Sequence, residues 1–184
     1  MRTFIAVDLN ADIKNKIKRI IRELDNGTRS VRWVGIEGIH LTLKFLGDTT
    51  IDRAAQVGAA LAEVGQNVSS FPLRIAGTGA FPPGSRPRVL WVGIDPSKDL
   101  RDLVASIEKA MIPLGFSQET RPFSPHITIG RVKDSSRLES VMSGLNTYKD
   151  RVFGQMTVQS LLFFESRLKP TGAEYSILKE IHLP

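Results

Sequence analysis

A chain of 184 residues, 41% hydrophobic and 24% charged, can bury a sizeable core as one compact domain or as two small lobes that share strands. Its lack of cysteine excludes disulfides, thiol nucleophiles and cysteine-based zinc sites. The net charge of +6 and pI near 9.8 point to a polyanionic partner, with RNA, DNA or anionic nucleotides the leading candidates.

In chain order, Thr3 to Leu9 reads as a buried strand, and Asn10 is placed to cap a helix over 11–25. Ile13, Ile17, Ile20, Ile21 and Leu24 form the apolar stripe of that helix, and Gly27 closes it. Val31–Val34 is a short strand. A second strand follows Gly38 and runs through Leu46. Thr50 caps a helix over 51–66. Strands at Phe71–Gly77 and Arg88–Ile94 flank a Gly- and Pro-rich loop, Gly77–Pro87, which carries Arg86 but lacks the Gly-Lys-Ser/Thr of a nucleotide-binding P-loop. Ser97 caps a helix that leaves near Pro113. Then come a strand from Pro125 to Val132, a shorter helix around Leu138–Leu145, and two last strands, Val152–Phe164 and Glu174–Ile181. Strands that follow one another with only a turn between them predict an α+β fold of mainly antiparallel sheet, with helices on one face of each sheet. No composition break or linker divides the chain, so 1–184 is expected to be a single domain. No apolar run approaches membrane-spanning length, and Met1–Ile5 leads straight into a strand pattern without a signal peptide. The expectation is a cytoplasmic protein.

One pattern occurs twice. Ile39-His40-Leu41-Thr42-Leu43-Lys44-Phe45 and Pro125-His126-Ile127-Thr128-Ile129-Gly130-Arg131 both read His, aliphatic, Thr, aliphatic. With only three histidines in the chain, two chance His-x-Thr pairs would arise roughly once in a hundred such sequences. Alternation along a strand places each His and its Thr on one face and the aliphatic residues on the other. Each copy therefore predicts a strand that seals a core with one face and offers an imidazole and a hydroxyl with the other. By the same parity Lys44 joins the face of His40 and Thr42, and Phe45 turns to the core. Arg131 turns away from His126 unless Gly130 ends or bulges the strand.

Two imidazoles across a groove suit in-line displacement at phosphorus. One removes a proton from the attacking oxygen and the other delivers a proton to the leaving oxygen, and both roles are accessible near neutral pH. The hydroxyls of Thr42 and Thr128 would donate to non-bridging oxygens, with cationic help from Arg131 and Lys44. A metal hydrolase would require more ligands than His182, the one remaining histidine, supplies, and no His-Glu-x-x-His or clustered Asp pattern exists. No cofactor is implied. A serine nucleophile is equally unsupported, since the chain has no Gly-x-Ser-x-Gly elbow.

His40-Leu41-Thr42-Leu43 and His126-Ile127-Thr128-Ile129 resemble the paired motifs of the two-histidine (2H) phosphoesterase superfamily. Arg2–Val7, Leu41–Gly47 and Phe123–His126 narrow the resemblance to the RNA 2′,3′-cyclic phosphodiesterases, also called 2′-5′ RNA ligases. It covers essentially the whole chain, with no departure at the four motif positions. It implies a bilobal fold with a pseudo-twofold, the motif strands lining a groove between the lobes. It also implies metal-free hydrolysis of RNA 2′,3′-cyclic phosphate ends to 2′-phosphomonoesters, and possible 2′-5′ ligation of tRNA halves. His40 falls at the position of the proton donor and His126 at that of the proton acceptor. A monomer is expected. Trp33 and Tyr148 are the candidates for stacking on bases. Two other readings fit the charge and the groove: a non-catalytic RNA- or nucleotide-binding protein of this fold, and a phosphodiesterase of small cyclic nucleotides or 2′-5′ oligonucleotides.

Overall fold

The computed structural model describes every residue except Thr28, Ser85 and Thr171. Ser85 belongs to the predicted Gly77–Pro87 loop, and its place in that loop lies outside the described residues. In chain order the elements are β1 (Arg2–Asp8), α1 (Ala11–Leu24), β2 (Val31–Trp33), β3 (His40–Asp48), α2 (Ile51–Gln66), β4 (Phe71–Phe81), β5 (Val89–Ile94), α3 (Lys98–Met111), β6 (His126–Val132), α4 (Glu139–Thr147), β7 (Val152–Val158), β8 (Ser160–Lys169) and β9 (Gly172–His182).

The predicted caps form. Asn10 accepts from the backbone N–H of Ile13 at 2.9 Å, Thr50 from that of Arg53 at 3.3 Å, and Ser97 from that of Leu100 at 3.2 Å. Each satisfies an N–H that the first helical turn leaves without a partner, a contribution of about 1 kcal/mol.

The strands form two sheets, ordered β3-β1-β8-β9 and β2-β6-β5-β4-β7, with every pair antiparallel. Helices α2 and α3 pack together on the first sheet, and α1 and α4 on the second. The chain is thus the mainly antiparallel α+β fold that the strand and helix patterns predicted, in the two lobes that the family resemblance implied. The helices are traded between lobes: α1 leaves the first sheet to cover the second, and α3 leaves the second to cover the first. The inner faces of both sheets and all four helices share one continuous apolar core, including Ile5, Val7, Leu41, Leu61, Val92, Ile127 and Phe163.

Two predicted boundaries are corrected. The single strand expected over Val152–Phe164 is two, interrupted only at Gln159, with β7 in the second sheet and β8 in the first. The chain crosses between lobes there without a glycine or proline to mark it, so the apolar pattern reads through. The strand expected to end at Gly77 continues to Phe81. Gly77 has φ +80° at an irregularity between Ile75 and Thr78, so the glycine bends the strand instead of ending it.

Candidate active site

The two motif strands approach each other, β3 at an edge of the first sheet and β6 inside the second. On the first sheet, β1 alternates regularly, and its partners define which way β3 faces. Asp8 lies opposite His40, Ala6 opposite Thr42 and Phe4 opposite Phe45, while Val7 lies opposite Leu41 and Ile5 opposite Lys44. A bulge at Leu43 moves the register by one residue. The consequence corrects two expectations. Phe45, placed on the core side by simple parity, shares the face of His40 and Thr42 and is 62% exposed. Lys44, expected beside His40, turns to the opposite face, where its Nζ lies 2.7 and 2.8 Å from the carboxylate oxygens of Glu108 and donates to the Ser117 carbonyl at 3.0 Å.

The second sheet repeats the construction. Gly93, Trp91 and Val89 of β5 share one face, and they lie opposite His126, Thr128 and Arg131. Leu90 and Val92 face the core, opposite Gly130 and Ile127. The extra residue is Ile129, three positions after the histidine, as Leu43 is in the first copy. This bulge returns Arg131 to the face of His126 and Thr128. Arg32 of β2 lies directly opposite Arg131 on that same face, since its neighbours Val31 and Trp33 pack on the core. A Cβ at Gly130 would come within 2.8 Å of the Val31 side chain and 3.0 Å of the Trp33 ring, so β2 can cover β6 only over a glycine.

The imidazoles sit in different surroundings. His40 is stacked on Phe4, with ring centroids 4.9 Å apart, and meets the edge of Tyr175 at 5.3 Å. Phe4, Ala6, Leu162 and Phe164 form a small second apolar cluster on this outer face of the sheet. Burial against it lowers the His40 pKa to about 4; Asp8 opposes that shift and Lys14, whose Nζ lies 2.6 Å from Asp8, reinforces it. The His126 ring stands perpendicular to that of Phe81, with centroids 5.1 Å apart, and its Nδ1 lies 2.8 Å from the Ser124 carbonyl oxygen. A carbonyl can only accept, so Nδ1 carries the proton, and in the neutral ring Nε2 holds the free lone pair. Beside His126 opens a cavity of about 480 Å³ whose lining includes Trp91, Phe123, Ser124, Arg101 and Lys149. Its volume is within the range of small-molecule sites.

Neither predicted stacking residue lies beside the histidines. Trp33 packs against the core, and Tyr148 ends α4, its hydroxyl donating to Glu23 and its ring lying under Arg151. Among the described residues, no three His, Asp or Glu side chains converge in a metal-binding cluster, and no helix is long and apolar enough to cross a membrane. Sequence reasoning missed Phe45 and Arg32, because simple alternation does not foresee the bulges and says nothing of which strands pair.

Comparison with known proteins gives a consistent family. The model of the 2′-5′ RNA ligase superfamily matches residues 10–168. An RNA 2′,3′-cyclic phosphodiesterase of Archaeoglobus fulgidus is 35% identical over 97% of this chain and 98% of its own. One of Thermotoga maritima is 33% identical over 98% and 94%. Among solved structures, TT0787 of Thermus thermophilus superposes with a TM-score of 0.85 at 25% identity, over 100% of this chain and 98% of its own. The Escherichia coli LigT structure with 3′-AMP shares the fold with a TM-score of 0.80 at 24% identity, over 99% and 97%. Matched by the family model over most of its length, and by these relatives from end to end, the chain belongs to the 2′-5′ RNA ligase superfamily.

Proposed function

We propose that this protein hydrolyses the 2′,3′-cyclic phosphate ends of RNA to 2′-phosphomonoesters by paired histidine acid–base catalysis, with no step assigned to a metal. The observation that carries this reading is the duplicated, identically bulged His-x-Thr strand, which presents one imidazole and one hydroxyl on the outer face of each sheet. The names of the curated relatives and the basic balance of the chain support an RNA substrate.

In this mechanism His126 Nε2 takes a proton from the attacking water, the role left open to it by the Nδ1–H donated to Ser124. The water oxygen bonds to phosphorus, the bond to the 3′ oxygen breaks, and His40 delivers a proton to that oxygen. The phosphate is left on the 2′ oxygen. The hydroxyls of Thr42 and Thr128 donate to the non-bridging oxygens as charge builds on them. Because burial holds the His40 pKa at about 4, roughly one free molecule in a thousand carries the donor proton at pH 7. The anionic phosphate changes this: an opposite charge beside the imidazole favours its protonated form, so substrate brings the proton with it. In the ligase direction a 5′-hydroxyl replaces water as the nucleophile, which would join tRNA halves through a 2′-5′ bond.

The test is hydrolysis of a short RNA bearing a 2′,3′-cyclic phosphate end in EDTA, with the position of the product phosphate resolved. A 2′-phosphate formed at an undiminished rate is expected. Tight RNA binding with no turnover would overturn the reading in favour of a binding protein.

A further inference from the structure

The strand residues opposite the two histidines are Asp8 and Gly93, and each borders a cavity large enough for a small molecule. The two cavities differ in chemistry. The one at Asp8, about 430 Å³, has no cation and no aromatic ring in its lining. The one at Gly93, about 480 Å³, has no carboxylate, and its lining includes Arg101, Lys149, Trp91 and Phe123. Neither of those cations forms an ion pair with a described residue. Two glycines shape this second cavity. A Cβ at Gly79 would come within 2.2 Å of the Trp91 indole, so the ring lies down against β4 only over a glycine. At Gly77, where φ is +80°, a Cβ would come within 2.8 Å of the Lys149 carbonyl oxygen.

The position of the cavity assigns its occupant. In-line displacement puts the leaving 3′ oxygen, with its ribose, toward His40 and the attacking oxygen toward His126. Every strand residue that lines the cavity belongs to the second sheet, and so does the strand of His126. Ser124, whose carbonyl oxygen faces the His126 Nδ1, forms part of the wall. Hydrolysis needs room on that side for one water, about 30 Å³, and the cavity is far larger. We infer that it seats the first nucleoside of a second RNA, one with a free 5′-hydroxyl. Its base packs against Trp91 and Phe123, and the phosphate on its 3′ side meets Arg101 and Lys149. The 5′ oxygen then bonds to phosphorus as its proton passes to His126 Nε2. The bond to the 3′ oxygen breaks, and that oxygen receives the proton of His40. The inference rests on the function proposed above and adds to it the site that holds the carrier of the nucleophile.

The experiment gives the protein an RNA with a 2′,3′-cyclic end and one of three acceptors: a nucleoside, a dinucleotide with a free 5′-hydroxyl, or that dinucleotide with an uncharged methylphosphonate linkage. It reads the ratio of 2′-5′-joined product to 2′-phosphate. With the phosphodiester dinucleotide the ratio should rise to a plateau, and at low concentration exceed that of either other acceptor by about tenfold. Arg101→Gln and Lys149→Gln should each lower that low-concentration ratio about tenfold. No joined product, equal ratios for the two dinucleotides, or an unchanged ratio in either variant would overturn the inference while leaving the proposed hydrolysis intact. No turnover of the cyclic end would overturn the proposed function, and this inference with it.

Discussion

The two motif strands are built alike and furnished differently. In each, the third residue after the histidine is a bulge, the fourth goes inward and the fifth returns to the outer face. Because both copies have this construction, the bulge belongs to the architecture of the lobes. The differences follow from what lies behind each strand. β3 is a sheet edge with α3 beside it, so its fourth residue can be a lysine that reaches Glu108. β6 is covered by β2, so its fourth residue must be glycine. The fifth residue is Phe45 in one lobe and Arg131 in the other, and the histidines diverge in the same way. One is pressed into an aromatic cluster, while the other has its Nδ1 tied to a backbone carbonyl. The shared bulge therefore reports on the fold, and so does the difference between Lys44 and Gly130; the outward-facing differences, Phe45 against Arg131 and the surroundings of the two imidazoles, distinguish the two halves of the candidate site.

The comparison breaks most severely at the histidines. His40→Ala and His126→Ala should each lower kcat by about 10²–10⁴-fold with RNA affinity nearly unchanged, measured by steady-state kinetics and equilibrium binding. Wild-type turnover by either variant would sink the two-histidine mechanism.

Lys44 tests the fold side of the comparison. Its side chain is 6% exposed and that of Glu108 14%, so removing the lysine strands a buried carboxylate. Lys44→Ala should cost about 3–5 kcal/mol in urea unfolding, and Lys44→Met combined with Glu108→Leu should recover most of it. Loss of activity in a double variant of restored stability would instead return Lys44 to the phosphate.

The threonines are expected to matter less. Thr42→Ala and Thr128→Ala each remove one donor to a charged group and no proton-transfer step, so kcat/KM should fall about 10–100-fold. A loss as large as that of the histidine variants would assign the hydroxyls a larger part.

The smallest effect sharpens the contrast between the imidazoles. Titration of the His40 ring by NMR should give a pKa near 4 in the free protein. Asp8→Asn should lower it and Lys14→Met raise it, because Asp8 favours the protonated ring and Lys14 opposes it. Binding of a 2′-nucleotide should raise it too. The sign carries over to stability. Between about 4 and the unfolded value near 6.5, the unfolded chain holds a proton that folded His40 refuses. Stability is therefore greatest above that window and declines as pH falls through it. A His40 that titrates near 6.5 in the folded protein would contradict this.

Much of this was legible in the sequence because it depends on local pattern. Helix caps, apolar stripes and the repeated His-x-Thr are each carried by residues a few positions apart. The remainder depends on partners distant in the chain. Nothing in Leu43-Lys44-Phe45 announces a bulge, and the opposing Ile5 and Ala6 that reveal it lie far upstream. Arg131 could be placed only conditionally, on whether Gly130 ended or bulged the strand, and the bulge that returns it lies one residue earlier, at Ile129. Gln159 marks the limit of pattern reading, since one unremarkable residue carries the chain from one sheet to the other.

The division of roles between the two histidines is tested most directly by replacing the leaving oxygen. An RNA end whose 2′,3′-cyclic phosphate has sulfur in place of the 3′ bridging oxygen expels a thiolate, which leaves without needing a proton. With this substrate His40→Ala should regain most of its lost rate, and His126→Ala should stay as impaired as before. Rescue of His126→Ala, or of both variants equally, would contradict the assignment of donor to His40 and acceptor to His126.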